Sequence, residues 1–218
     1  MSKIEALKRP FEENDIEWRI QQSGESNGNI WGQCLAYITN RGVMDRLDEV
    51  FGLSGWKNEY APTPSMGGVM CGISFKSDGE WITKWDGAEE TQVEATKGGL
   101  SASMKRAVVH LGIGRYLYNL DAGFIRVVEK GTAGAKFAKT KQGKVFYWLP
   151  PLLPDWALPI EAKQMKTIAE KVVDSESDME ILLDTFNVVD LKNATKQQGN
   201  EIINGLDKKL AKMEKAKA

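Results

Sequence analysis

The run "SASMKRAVVHLGIGRYLY", residues 101–118, decides how the chain is read. At about 100° per residue, Leu100, Met104, Ala107, Val108 and Leu111 fall in one arc, the face that a helix packs against a sheet. Into this helix the sequence sets two adjacent cations, Lys105 and Arg106, and then stops it at Gly112-Ile113-Gly114. Lys105 lies at the edge of the packed arc and Arg106 points further round. Thr91 with Glu94 forms a capping box, so the helix is expected from about there to Leu111, with Gly112 as its C-terminal stop. Lys97 is offset from Lys105 by only about 80°, which lets both look into one groove beside the packed face. Gly98 and Gly99 weaken the helix by roughly 1 kcal/mol each; they mark either close approach of another element or a kink.

The sheet for that face reads directly upstream. "GVMCGISF" (68–75) alternates Val69, Cys71, Ile73 and Phe75 on one side. An Asp78-Gly79 turn leads into "EWITKW" (80–85), where Trp81, Thr83 and Trp85 alternate likewise, and "GWKNEY" (55–60) precedes both. Together these form an antiparallel meander. Earlier, "QCLAYIT" (33–39) reads as a short strand, and Asn40 opens a helix whose Val43, Leu47, Val50 and Phe51 share a face before Gly52 stops it. Ser2 with Glu5 caps a short first helix that Pro10 ends. "NDIEWRIQQS" (14–23), which carries Arg19, is a connecting segment without a clear secondary-structure pattern.

The expected fold class is therefore α+β, an antiparallel β-meander packed on a long helix within residues 1–149, followed by a small C-terminal helical module. Four prolines in "LPPLLPDWALPI" (149–160) make residues 150–159 a stiff linker. Residues 160–218 then hold three amphipathic helices at about 160–173, 177–187 and 196–214, the last capped by Thr195 with Gln198. Their mixed-charge surface suits partner binding.

The net charge of −1 hides a segregation of sign. Residues 1–94 hold 9 Lys/Arg against 16 Asp/Glu, residues 95–150 hold 10 against 2, and residues 151–218 hold 10 against 12. A concentrated basic block of this kind attracts polyanions whatever the global charge and is a footprint of nucleic-acid binding. Within it, "KFAKTKQGKVFYWLPP" (136–151) turns at Gln142-Gly143. Phe137, Phe146, Tyr147 and Trp148 among Lys136, Lys139, Lys141 and Lys144 read in two ways. They are either a base-stacking and phosphate-contacting surface or a hairpin whose aromatics are core and whose lysines solubilise it.

Several classes are excluded or disfavoured. Two cysteines and one histidine cannot supply a four-ligand zinc site. No signal-peptide pattern precedes them, and no run approaches the about 20 apolar residues that span a bilayer, so a soluble, cytoplasmic protein without a membrane partner is expected. No GxxxxGK[ST] loop occurs, and "GIGRYL" lies at a helix end rather than between strand and helix, so no nucleotide cofactor is expected. His110 sits inside the predicted helix and reads as structural. Asp86 with Glu89 and Glu90 offers magnesium ligands for a nuclease, but favourable charge at a helix entry is the plainer account. No catalytic residue and no metal site is assigned.

"YITNRGVMDRLDEVFGLSGW" (37–56), the meander, and "EATKGGLSASMKRAVVHLGIGRYLYNLD" (94–121) together resemble the Rad52/Rad22 family of single-strand annealing proteins, in particular its phage, Sak-like members. The resemblance covers about residues 15–125. It implies a β-β-β-α core that assembles into a homo-oligomeric ring, with single-stranded DNA along a basic groove, the backbone held inward and the bases left free to pair without ATP. The implied function is annealing in homologous recombination and double-strand break repair, in the bacterial cytosol and at the nucleoid. Lys105 matches the family's groove lysine, Arg106 the arginine beside it, Arg19 an arginine before the first strand, and Lys97 a basic position earlier in the helix. The meander lysine of a second, outer site has no clean counterpart; Lys76 stands beside the matching Ser77. By analogy with other phage annealing proteins, residues 160–218 are expected to recruit a host single-strand binding protein or a phage exonuclease. A passive single-strand binder and a magnesium nuclease remain the alternatives.

Overall fold

An Asn27-Gly28 turn, with φ of 51° and 78°, closes a long hairpin of β1 (Ile16–Ser26) and β2 (Asn29–Ile38). Left-handed backbone at both central residues is what a two-residue hairpin turn requires. The structure, a computed structural model, describes residues 3–64, 67–89, 95–121 and 123–217. Register pairs Glu17 with Tyr37 and Arg19 with Leu35, so these four share one face. Trp18, Ile20, Cys34, Ala36 and Ile38 point the other way, into the interior. The expected connecting segment is thus most of an 11-residue strand, and β2 is longer than the expected short strand. A bulge between Ile20 and Gln22 interrupts the alternation. A two-residue strand, β6 (Gly123–Phe124), pairs with the free side of β2.

Helix α2 (Asn40–Phe51) starts where the Thr39 hydroxyl accepts from the Gly42 N–H at 3.0 Å, and it ends at Gly52, φ 74°. The meander follows as β3 (Trp56–Pro62), β4 (Gly68–Ser77) and β5 (Glu80–Glu89), with Asp78 and Gly79 at φ 50° and 89° in the second turn. Helix α3 (Ala95–Val109) lies across it, burying Met104, Ala107 and Val108 against Cys71 and Ile73, and stops two residues before the expected Leu111, which is buried in the turn beyond it. The capping pair at residues 91 and 94 falls outside the described residues. A Cβ on Gly99 would sit 3.2 Å from Val69 Cγ2, which settles that glycine as a close approach of helix to sheet. Trp81, Thr83 and Trp85 pair with Lys76, Ser74 and Gly72, on the face of the meander turned away from α3.

Arg115, in a short 3-10 turn over Arg115–Asn119, donates to the Val109 and His110 carbonyls at 2.6–2.9 Å and satisfies the open end of α3. At the other end of the core, helix α1 (Lys3–Lys8) is held by a side chain that sequence pattern does not reveal. Arg46 of α2 is 4% exposed, donates to the Ala6, Arg9 and Pro10 carbonyls at 3.1, 2.7 and 3.3 Å, and lies 4.2 Å over the Phe11 ring. Burial, with Arg9 adding repulsion, lowers its pKa to about 10 despite Glu49.

A third sheet, β7 (Arg126–Val128), β8 (Lys136–Lys139) and β9 (Val145–Leu149), runs in the order β7-β9-β8. Phe146 and Trp148 are buried against Cys34, whereas Phe137 is 58% exposed and meets Tyr147 edge-on at 6.0 Å. The hairpin aromatics are therefore divided: Phe146 and Trp148 are core, as the second reading expects, while Phe137 stays on the open face. Residues 150–159 bury Leu153 and Ala157 in the main core. Helices α4 (Ala162–Asp174), α5 (Met179–Thr185) and α6 (Lys196–Lys217) enclose a second core of Ile160, Ile168, Val188, Ala194, Ile202 and Leu206. Gln198 N–H to Thr195 Oγ1 at 3.1 Å and Thr195 N–H to Gln198 Oε1 at 2.9 Å form the capping box of α6.

Candidate nucleic-acid interface

The open face of the β1–β2 hairpin and the edge of α3 bring two cations onto one aromatic ring. Lys105 Nζ lies 4.5 Å from the centre of the Tyr37 ring and Arg19 Cζ lies 5.6 Å from it. The position of Lys105 at the margin of the packed arc of α3 makes this possible: its stem is half-buried and its amine reaches the next element. Burial lowers the Lys105 pKa, Arg19 lowers it further, and Glu17, across from Tyr37 in the register, opposes them. The Tyr37 hydroxyl is pushed up, first by burial and then by Glu17, against Arg19. Arg19, Ile20, Gln21, Leu35, Tyr37 and Lys105 line a cavity of about 260 Å³ here. Two like charges beside an open cavity, opposed by the carboxylate of Glu17, concentrate positive potential there.

Arg106, although adjacent in sequence, is engaged elsewhere. Its Nε donates to Asp86 Oδ1 at 3.2 Å, while His110 Nε2 lies 3.3 Å from Asp86 Oδ2 and the Gly87 N–H donates to Oδ1 at 2.7 Å. Burial pushes the Asp86 carboxyl up, but these donors outweigh it and hold it below its ordinary value. Asp86 points toward α3 and Glu89 to the opposite face of β5, so these two members of the acidic cluster are split between two faces, while Glu90 lies outside the described residues. Among the described residues no group of three or more His, Cys, Asp or Glu side chains could hold a metal ion.

The other candidate cations occupy separate surfaces. Lys97 is exposed in the first turn of α3, about 12 Å along the axis from Lys105, and does not line the cavity. Lys76 stands on the outer face of the meander with its amine 5.2 Å from the Trp81 ring centre, and Lys57 approaches the same ring at 5.5 Å. Lys139 sits 5.9 Å from the Phe137 ring centre, Lys144 pairs with Glu25 at 2.9 Å, and Lys136 and Lys141 are exposed on the same hairpin. A larger cleft of about 380 Å³ lies between Arg46 and the Pro159–Ile160 segment, away from the Arg19–Lys105 pair. Its Arg9 and Arg46 are both paired with Glu49. No helix among the described residues is long and apolar enough to cross a membrane. Tyr37 was missed by sequence reasoning; the only signal was its alternation off the buried face of β2.

A family model described as Rad52/22 family double-strand break repair protein matches residues 2–66 and 68–134. That span contains Arg19, Tyr37, Asp86, Lys105 and Arg106 and ends before the basic hairpin of β8 and β9. Two curated proteins, each named single-stranded DNA-binding protein DdrA, one of Deinococcus radiodurans and one of Deinococcus deserti, are 29% identical to the chain over 160 residues. The alignments cover 70% of this chain and 66% and 68% of those proteins, so the chain spans about two thirds of their length.

Proposed function

Because the chain belongs to the Rad52/22 family of double-strand break repair proteins, we propose that it binds single-stranded DNA along the Arg19–Tyr37–Lys105 groove and anneals complementary strands without ATP during homologous recombination and break repair. The observation that carries this reading is the convergence of Arg19 and Lys105 on Tyr37 beside an open cavity. A phosphate between the two cations relieves their mutual repulsion and opposes the burial that lowers the Lys105 pKa. Cations on the backbone fix the strand without reading its sequence, as a protein that pairs any two complementary strands requires. The names of the DdrA relatives agree with single-stranded DNA as the ligand.

Lys97 extends the track along α3, and Arg106 joins it by exchanging Asp86 for a phosphate, which leaves Asp86 still bonded by Gly87 and His110. Further strand contacts fall to Lys136, Lys139, Lys141 and Lys144 with Phe137 and Tyr147, and to Lys76 with Trp81, where exposed rings and amines adjoin. Strands β3 and β5 edge their sheet, so ring assembly through such edges is proposed for the oligomer. Residues 1–149 serve as the annealing and oligomerising domain, with residues 150–159 leading to a module at 160–218 that recruits a single-strand binding protein or an exonuclease. The working place is the cytoplasm, at the nucleoid.

Mixing complementary oligonucleotides with the protein, without nucleotide and with or without magnesium, tests this reading. Faster pairing than in buffer, with both strands intact, is expected; slower pairing makes the protein a passive binder, and strand cleavage makes it a nuclease.

A further inference from the structure

Beyond the two cations the groove changes character. A trough of about 310 Å³ opens between β2 and the turn that follows α3, walled by Leu35, Tyr37, Leu117, Tyr118 and Leu120. It is continuous with the cationic end, because a smaller pocket of about 100 Å³ carries Lys105, Arg106, Tyr37 and Tyr118 together. Tyr118 is 71% exposed and Leu35 is 41% exposed, whereas Leu117 is buried and forms the floor. Among the described residues that line the trough, Asp121 alone is charged.

This polarity selects an occupant. A phosphate is drawn to the Lys105 end and repelled by Asp121, so the chain of phosphates does not run through the trough. A flat ring that offers its faces to the tyrosine and leucine walls and an N–H donor on its edge to the acceptor at Asp121 suits both. Every nucleobase has that description, and stacking on an aromatic ring does not distinguish one base from another. Resting on the reading of the groove as a single-strand binding surface, we infer that the Leu35–Tyr37–Tyr118–Asp121 trough is a nucleobase site that takes one base of the bound strand out of line while its phosphate sits at Arg19 and Lys105. Such a base pairs with the incoming strand only after leaving Tyr118, which ties annealing to a step at this turn.

The test compares full-length protein with its Tyr118→Ala variant by fluorescence anisotropy, on oligothymidine and on an abasic deoxyribose-phosphate oligomer of the same length. Because Tyr118 is exposed, the substitution spares the core. On oligothymidine the variant is expected to bind roughly 5- to 150-fold more weakly, the range for loss of one base–aromatic stack. On the abasic oligomer the two proteins bind alike, and the salt slope is unchanged on both. Equal weakening on both probes, or none on oligothymidine, overturns the inference. So does a smaller assembly in sedimentation with unchanged DNA affinity, which assigns the trough to a side chain of a neighbouring copy. Lys105→Gln serves as the separate arm: it weakens binding to both probes if the groove reading holds, and its failure to do so refutes that reading whatever Tyr118 does.

Discussion

Replacing Arg19 and Lys105 together by glutamine removes both charges over Tyr37 while keeping stems of similar bulk against the ring. Each phosphate contact on single-stranded DNA contributes about 0.7 to the slope of log affinity against log salt, so losing two contacts flattens the slope by about 1.4. Between about 50 and about 200 mM salt the wild type should then lose about sevenfold more affinity than the variant. At low salt the variant should bind more weakly, and by the same factor for every sequence of equal length, since backbone contacts carry no base information. Among the described residues neither charge pairs with a carboxylate as closely as Arg106 pairs with Asp86. Anisotropy titrations of oligothymidine across that salt range measure the slope, and sedimentation confirms that the assembly is unchanged. Parallel slopes for wild type and variant would refute the assignment of these two residues to phosphate.

Three further outcomes are expected. Arg46→Met, which strips the Ala6, Arg9 and Pro10 carbonyls of their donor, should cost about 3 kcal/mol or more in urea unfolding and expose the segment around α1 to protease; a loss below about 1 kcal/mol contradicts the role given to that arginine. Because burial and Arg19 lower the Lys105 pKa from 10.5, raising the pH from neutrality discharges this amine before an ordinary lysine. DNA affinity should therefore fall early on the alkaline side, and Lys105→Arg, charged to above about pH 12, should remove that early fall; identical pH profiles count against the site. Cutting the chain after Pro159 falls between the two buried clusters and should leave oligonucleotide annealing largely intact while abolishing pull-down of the host single-strand binding protein. A folded, oligomeric truncation that cannot anneal places the last helices in the DNA-handling machinery.

The meander and α3 are legible in the sequence because each keeps its period: every second residue of "GVMCGISF" faces inward, and the arc from Met104 to Leu111 is uninterrupted. Strand β1 is not, because the bulge after Ile20 breaks the alternation that Ile16, Trp18 and Ile20 begin; the Asn27-Gly28 turn was the signal that could have recovered it. Lys105 at the margin of α3 follows from helical geometry. That its amine meets Tyr37 and Arg19 follows from how the hairpin docks, which no local pattern encodes. The same holds for Asp86, whose partners Arg106 and His110 lie 20 and 24 residues away, and for Arg46, whose carbonyl partners lie on a segment about forty positions upstream. Composition could not divide the hairpin aromatics either; the pairing of Lys136 with Trp148 and of Phe137 with Tyr147 sends alternate rings inward and outward.

Zero-length photocrosslinking tests the central claim most directly, since exposed aromatic rings mark each of the three basic surfaces. The full-length protein would be irradiated with an oligonucleotide of 4-thiothymidine and the modified residues located by mass spectrometry. The account predicts adducts at Tyr37 and Tyr118, lost when Arg19 and Lys105 are both replaced by glutamine. Adducts confined to Phe137 and Tyr147, or to Trp81 and Trp85, would place the strand elsewhere and contradict the groove.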